Sequence, residues 1–401
     1  MKILIITSPN CNGVDNFERF TTTGGGENSY ALQLAKRFLE LGNSVDFICK
    51  SNSILANHDN LNLIPMEEGR KGLELILPSI DPNDYDLIIN NSCRPTDCKH
   101  VANKFSEVSS RVLTISHFSI ESFAMIQTYQ GAYSNLGDKF RIVTVSRNNQ
   151  RELDKIGVKS IVATLGVNPP NNLDLDSVKE PSSPYQLVLS ARIAEDKGSA
   201  TLALLKHMHP DLDVRMNAVR VSNKPKDTEI SIGSMKFQGE TKGEALEKAL
   251  VGCGVPIEFG KSTWDIQTEM FEKGGINLIL CKEAWSLVTT EMLAVGVPTF
   301  SLHEQGTGVI EQINLGEKIY ENEDFVVTEL GGYCKYKYRK TTKAYLNTLV
   351  EMLDYARDNG LFSTVESRKK IIETYKNYLT LDKHIDKLVN LSKEVKIDGK
   401  I

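Results

Sequence analysis

The first fifty residues constrain the fold more than any other stretch. Residues 2–7 are almost continuously apolar, the composition of a strand buried on both faces. A loop rich in Thr and Gly ends in Gly24-Gly25-Gly26-Glu27, after which Ala31, Leu34, Ala35, Phe38 and Leu39 recur at the spacing of one helix face. Gly42-Asn43 stops that helix, and residues 45–49 supply the next apolar strand. Strand, glycine turn, helix and strand make a βαβ unit, and a Rossmann-like parallel sheet is what such units build.

The same alternation continues, with strands expected at 87–90, 112–116, 142–146 and near 160–164. Between Asn168-Pro169-Pro170 and Pro181-Ser182-Ser183-Pro184 the hydrophobic pattern lapses and four prolines appear, the signature of a linker. A second series begins at 186–190, with strands expected near 213–218, 256–259, 276–280 and 298–301. Residues 227–238 alternate like a strand or hairpin inserted in this half, and from Thr342 onward the pattern is helical. The reading is therefore α/β, with a domain over 1–168, a linker over 169–184, a second doubly wound domain over 185–375, a terminal helix over 376–401 expected to pack back on the first domain, and a cleft between the domains.

A chain of 401 residues suits two cores better than one. The net charge of −5 excludes a wholly basic nucleic-acid binder, although not a local basic groove. Seven irregularly spaced cysteines suggest reduced thiols and a cytoplasmic location, in a host cell if the protein is viral. The N-terminus lacks a signal-peptide pattern and no run of 18 apolar residues occurs, so no membrane anchor is expected.

The chemistry concentrates in Glu283-Ala284-Trp285-Ser286, which follows the apolar run 276–280. Ser286 is placed to N-cap a helix, Glu283 to sit in the loop above the strand end, and Glu291 to lie about two helical turns further on. Acids there can each take a pair of hydroxyls, and the helix-start amides of Ser286, Leu287 and Val288 can receive a phosphate. Two ordinary surface acids would leave the same local trace.

Three segments in order resemble the retaining glycosyltransferases of GT-B architecture, also called glycosyltransferase group 1: Gly24-Gly25-Gly26-Glu27 with Leu34-Ala35 and Leu41-Gly42-Asn43-Ser44-Val45; Ser190-Ala191-Arg192-Ile193-Ala194-Glu195-Asp196-Lys197-Gly198; and Lys282-Glu283 through Gly296-Val297-Pro298. The resemblance spans nearly the whole chain and implies two Rossmann-like domains with an interdomain cleft. It implies that Gly25 and Gly26 border the donor, that Arg192 and Lys197 neutralise its diphosphate with the amides near Ser286, Leu287 and Val288, that Glu283 faces the donor sugar, and that Glu291 faces the ribose. Gly260 and Lys261 match the segment near the nucleotide base, and His117, after the strand 112–116, matches a histidine beside the sugar or the reacting centre; a capped histidine without chemistry is the other reading of it. The chain departs from the usual Glu-Pro-Phe-Gly pattern by carrying Ser286 in place of glycine. No carboxylate of the first domain has a nucleophile's setting, so front-face displacement is the mechanism implied. No cofactor or metal is expected beyond a UDP-sugar donor, UDP-glucose by default or a UDP-pentose, and the two Asp-x-Asp spacings, at Asp84 and Asp86 and at Asp174 and Asp176, read as chance.

For the acceptor, residues 86–96 and 111–122 are similar in layout to the DNA α-glucosyltransferases of T-even-like phages, which implies hydroxymethylated cytosine in double-stranded DNA. Lys335, Lys337, Arg339 and Lys340, interleaved with tyrosines, suit a phosphate backbone, as does Arg147; a half-buried strand and a helix surface are the competing readings. Alternative functions are a cytoplasmic transferase for a cell-surface glycan or small molecule, a sugar-nucleotide epimerase, and a non-catalytic sugar-nucleotide binder.

Overall fold

The structure is a computed structural model and describes residues 1–7, 14–16, 21–22, 26–50, 58–66, 72–91, 95–117, 123–137, 141–219, 228–302, 308–337 and 340–394. The chain divides into two compact units, Met1–Asn168 with Tyr378–Ile401, and Pro169–Asn377.

In the first unit the strands of the main sheet are β1 (Lys2–Ile6), β2 (Ser44–Lys50), β3 (Leu61–Met66), β4 (Leu87–Asn90), β5 (Val112–Ser116), β6 (Ile142–Thr144) and β7 (Ser160–Val162), with Val14–Asn16 and Thr21–Thr22 forming a separate antiparallel pair. They pair in the order β3-β2-β1-β4-β5-β6-β7, all parallel. Ile3, Leu4, Ile5 and Ile6 are fully buried, which is why β1 carries no polar face. The sequence reading did not anticipate β3, because Pro65 interrupts its apolar run; the strand lies at the sheet edge, where a missing N–H breaks no ladder.

The helix Leu381–Glu394 belongs to this unit and packs on the helix Gly26–Glu40. Arg37 grips Asp382 with two hydrogen bonds, Nε to Oδ1 at 2.5 Å and Nη2 to Oδ2 at 2.9 Å. Beside it, Val167 bridges Thr380, and Gly166 approaches so closely that a Cβ there would stand 2.2 Å from the Thr380 carbonyl oxygen.

The second unit contains β8 (Leu187–Arg192), β9 (Val214–Val219), the hairpin β10 (Thr228–Ile232) and β11 (Met235–Gly239), β12 (Ile257–Phe259), β13 (Ile276–Ile279), β14 (Thr299–Ser301), β15 (Lys318–Glu321), β16 (Phe325–Thr328) and β17 (Gly331–Cys334). The main sheet runs β12-β9-β8-β13-β14-β17-β16-β15, parallel up to β17 and then closed by an antiparallel meander. Strand order reverses between β8 and β13, the position at which open α/β sheets bind ligands beyond their carboxyl ends. The separate hairpin β10–β11 packs on the helix Lys242–Gly252. Among the described residues no helix is long and apolar enough to cross a membrane.

Arg368, on the helix Val365–Tyr378, is the largest fully buried side chain among the described residues, at 1% exposure. Its guanidinium donates to five backbone carbonyls: Gly296 at 3.3 Å, Val295 at 3.0 Å, Met270 at 3.2 Å, Phe271 at 2.8 Å and Lys179 at 2.9 Å. Met270 and Phe271 lie in the last turn of the helix Thr263–Lys273, and Val295 caps the helix Leu287–Ala294, so one cation serves the electronegative ends of two helices. Through Lys179 it also holds the proline-rich stretch 169–184, which packs on this unit: Pro181 lies against Gly274, and the Ser183 amide donates to the Lys273 carbonyl.

Replacing Arg368 with Met should lower the stability of the second unit by on the order of 3 kcal/mol, because carbonyls at both helix ends lose their donor. Both tryptophans, Trp264 and Trp285, lie in this unit, so urea unfolding followed by tryptophan fluorescence reads it directly. An unchanged midpoint would refute the role.

Candidate functional site

The segments leaving β8 and β13 converge at the strand-order reversal. Past Arg192 the chain makes a short 3-10 turn, Glu195–Lys197, and enters the helix Ser199–Met208 through Gly198. Gly198 has φ of 79°, and a Cβ on it would stand 2.5 Å from the Leu280 Cβ at the end of the β13 segment. Only glycine allows both the left-handed backbone and that approach. The consequence is an ion pair between residues far apart in sequence, Lys197 Nζ to Glu283 Oε1 at 2.6 Å. Burial acts to lower the Lys197 pKa, but the Glu283 charge and hydrogen bond outweigh it, with Cys281 and Asp196 adding, so the ammonium is held above its ordinary value. The Cys281 thiol faces the same carboxylate oxygen at 3.4 Å and is pushed up to about 12, first by burial and then by Glu283. Arg192 is half-exposed and pairs within its own loop, Nη2 to Asp196 Oδ2 at 3.3 Å.

Ser286 caps the helix Leu287–Ala294, its hydroxyl accepting from the Thr289 amide at 3.1 Å. Its own N–H, expected to be available to a phosphate, is already donated to Gln312 Oε1 at 3.2 Å. Gln312 in turn donates to the Ser286 carbonyl at 2.9 Å and to Thr290 Oγ1 at 2.8 Å. The amides of Leu287 and Val288, at the first helical positions, have no hydrogen-bond partner among the described residues. Sequence reasoning missed Gln312, since nothing local marks a glutamine 26 residues from the cap it completes.

Glu291 is 5% exposed and has no hydrogen-bond or ion-pair partner among the described residues. Burial alone raises its carboxyl to about 7. A buried carboxylate without donors is costly, and such groups concentrate where a ligand supplies the missing bonds.

Gly260 and Lys261 follow β12. Gly260 has open space about it, whereas Lys261 is paired with Glu258 and Glu269, both of which also accept from Arg215. The basic segment is likewise engaged. Lys335 pairs with Glu321, Lys337 with Asp324 at 3.0 Å, and Lys340 with Asp324 at 3.0 Å and Thr348 Oγ1 at 2.6 Å. Acids of the β15–β16 turn thus neutralise these ammonium groups in place. Arg147 opens the helix Arg147–Lys155 in the first unit and is exposed. Gly24, Gly25 and Arg339 lie outside the described residues, and Gly26 is the first residue of its helix.

A second polar centre lies in the first unit at the carboxyl ends of β4 and β5. His117, half-buried, places Nε2 2.5 Å from Asn91 Oδ1. Burial first, and the nearby His384 second, depress it to about 3, so the ring is neutral. The Tyr30 ring stands edge-on to it at 5.1 Å, and the Tyr30 hydroxyl lies 2.6 Å from His384 Nε2. Tyr30 and His384 carried no local signal, since 354 residues separate them. Among the described residues no group of three His, Cys, Asp or Glu side chains could hold a metal ion.

No family model and no curated protein matches the chain. Solved structures do. A sucrose-phosphate synthase from Thermosynechococcus elongatus superposes with a TM-score of 0.67 at 14% identity, covering 100% of both chains. A glycosyltransferase from Rickettsia africae gives 0.63 at 14%, with 99% of each chain covered. An α,α-trehalose-phosphate synthase (UDP-forming) from Burkholderia vietnamiensis gives 0.61 at 11%, over 98% of this chain and 99% of its own. At these identities the likeness establishes the fold: this chain has the GT-B fold of glycosyltransferases, with two Rossmann-like units.

Glu291 yields a test that needs no ligand. Its folded pKa of about 7 lies above the ordinary 4.5, so the native state holds the proton longer than the unfolded chain. Its contribution is fully present below the unfolded pKa and is lost as pH rises through about 7. Gln mimics the protonated form, so the stability of Glu291→Gln relative to wild type should rise between pH 4.5 and 7 and level off above. A difference independent of pH in urea melts would contradict the assignment.

Proposed function

We propose that this protein is a retaining glycosyltransferase that moves a sugar from a UDP-sugar to an acceptor hydroxyl. The observation that carries the reading is the Lys197–Glu283 pair at the strand-order reversal of the second unit, followed a few residues after Glu283 by the Leu287 and Val288 amides, which have no partner among the described residues. Cation, carboxylate and amides there match the parts of a sugar diphosphate. As the bond to the sugar breaks, the departing diphosphate gains charge, and Lys197, Arg192 and the two amides stabilise it. Glu283 takes the sugar hydroxyls. Glu291 takes the ribose diol, whose O–H groups supply the donors its buried carboxylate lacks. In front-face displacement the acceptor oxygen bonds to the anomeric carbon on the face the diphosphate leaves, and the acceptor proton passes to the departing phosphate oxygen. GT-B structures with UDP-forming activity among the similar folds support UDP as the nucleotide.

The acceptor is read at the level of a hydroxyl. Hydroxymethylcytosine in duplex DNA has the resemblance of residues 86–96 and 111–122 in its favour, and against it stands the pairing of Lys335, Lys337 and Lys340 with Glu321 and Asp324. A binding-only or epimerase activity would have no acceptor at all.

One panel separates these readings: UDP-glucose and a UDP-pentose, each with hydroxymethylated duplex DNA, plain duplex DNA, and small polyols or glycans, followed by mass analysis of the products. Transfer to any hydroxyl acceptor is the expected result, and epimerised donor without transfer would overturn the proposal. Glu283→Gln should lower transfer about 100-fold and Lys197→Met should weaken UDP binding about tenfold in calorimetry. Wild-type behaviour in both variants would remove the donor-site assignment.

A further inference from the structure

We propose that Tyr30 and His384 are positioning residues for His117, so that the C-terminal helix forms part of the chemical centre of the first unit as well as bracing it. The inference rests on the transferase reading for what His117 serves, and on geometry alone for how it is held.

An amide oxygen only accepts, so the 2.5 Å contact with Asn91 Oδ1 puts the hydrogen of His117 on Nε2 and leaves Nδ1 as a lone pair. That is the atom a substrate hydroxyl at the end of β5 can donate to. One hydrogen bond fixes only one point of a ring, and the second point is the Tyr30 ring, edge-on at 5.1 Å and 70°. Tyr30 is 1% exposed and its hydroxyl reaches no water; it is fixed by His384 Nε2 at 2.6 Å, and its ring meets the His384 ring at 5.4 Å and 64°.

His384 is itself 3% exposed, and burial lowers it to about 4 against the opposing pull of the Thr164 backbone, so it too is neutral. Its helix is fixed by the Arg37–Asp382 pair and by the bridge from Val167 to Thr380. The route therefore runs from the last helix to His384, to the Tyr30 hydroxyl, to the Tyr30 ring, and to His117. Phenylalanine and leucine would fill the same volumes without burying a hydroxyl and an imidazole. What the polar pair adds is direction: the hydroxyl bond sets the tilt of the ring against which His117 rests.

The test uses the full chain with ¹⁵N-labelled histidine, comparing wild type, Tyr30→Phe, His384→Leu and His384→Gln, with His117→Ala identifying the His117 resonances. Tyr30→Phe and His384→Leu should shift the His117 ring nitrogens and lower kcat for UDP-sugar turnover about tenfold with KM for the donor unchanged, while the melting temperature falls by a few degrees because each leaves one buried polar partner unmet. His384→Gln, whose amide can still meet the tyrosine hydroxyl, should return both readouts toward wild type. Unshifted His117 resonances in Tyr30→Phe and His384→Leu would overturn the inference, whatever their melting temperatures. If wild type turns over no nucleotide sugar, the transferase reading fails while the resonances still decide whether Tyr30 and His384 hold His117.

Discussion

A guanidinium with no carboxylate partner among the described residues organises the second unit. Arg368 sits where the helices Thr263–Lys273 and Leu287–Ala294 both end, and its donors meet last-turn and cap carbonyls, of which Met270 also accepts from the Gly274 amide. A carboxylate there would compete for the same donors and leave those carbonyls bare. Burial lowers the Arg368 pKa to about 10, so the group remains charged at neutral pH, and the partial negative charge of two helix ends compensates it. The helix that begins at the candidate donor site is thereby fixed at its far end.

Its near end is fixed differently. Ser286 caps the helix and Gln312 brackets Ser286, taking its N–H and supplying a donor to its carbonyl. A helix only eight residues long, with six of them buried, has little freedom once both ends are pinned. The two amides left over, at Leu287 and Val288, are then held in one direction, and Glu291 is buried on the same helix without a donor among the described residues. Pre-orientation of this kind is what lets a few dipoles and one cation act on a phosphate without reorganising first.

The parts legible in the sequence were those set by local pattern. β1, β4, β5 and β13 are short, largely apolar and buried runs, and β8 is buried over Leu187, Val188 and Leu189 before it emerges toward Arg192; all five read as strands without help. Lys197, Glu283 and Ser286 stood out because each follows such a run at a turn, and Glu291 because it lies about two helical turns beyond Glu283. What escaped had no such pattern. β3 contains a proline and survives only as an edge, and β15 to β17 form a meander, after which Lys335, Lys337 and Lys340 read as a basic patch until Glu321 and Asp324 are placed beside them. A charge run shows how many cations it has, and the fold decides how many of them are already paired.

By itself, the sequence determined the parallel strands at the centre of each sheet and the residues at their carboxyl ends, because strand burial and helix capping depend on neighbours a few positions away. Only the tertiary structure decided which of those residues meet. It paired Lys197 with Glu283 by allowing Gly198 to lie on Leu280, and it used the Ser286 amide for Gln312. It also brought His384 from the far end of the chain to Tyr30 and set Tyr30 against His117. The physical reason is common to all of them: contacts across 26 to 354 residues depend on how whole elements pack, and no local spacing records that.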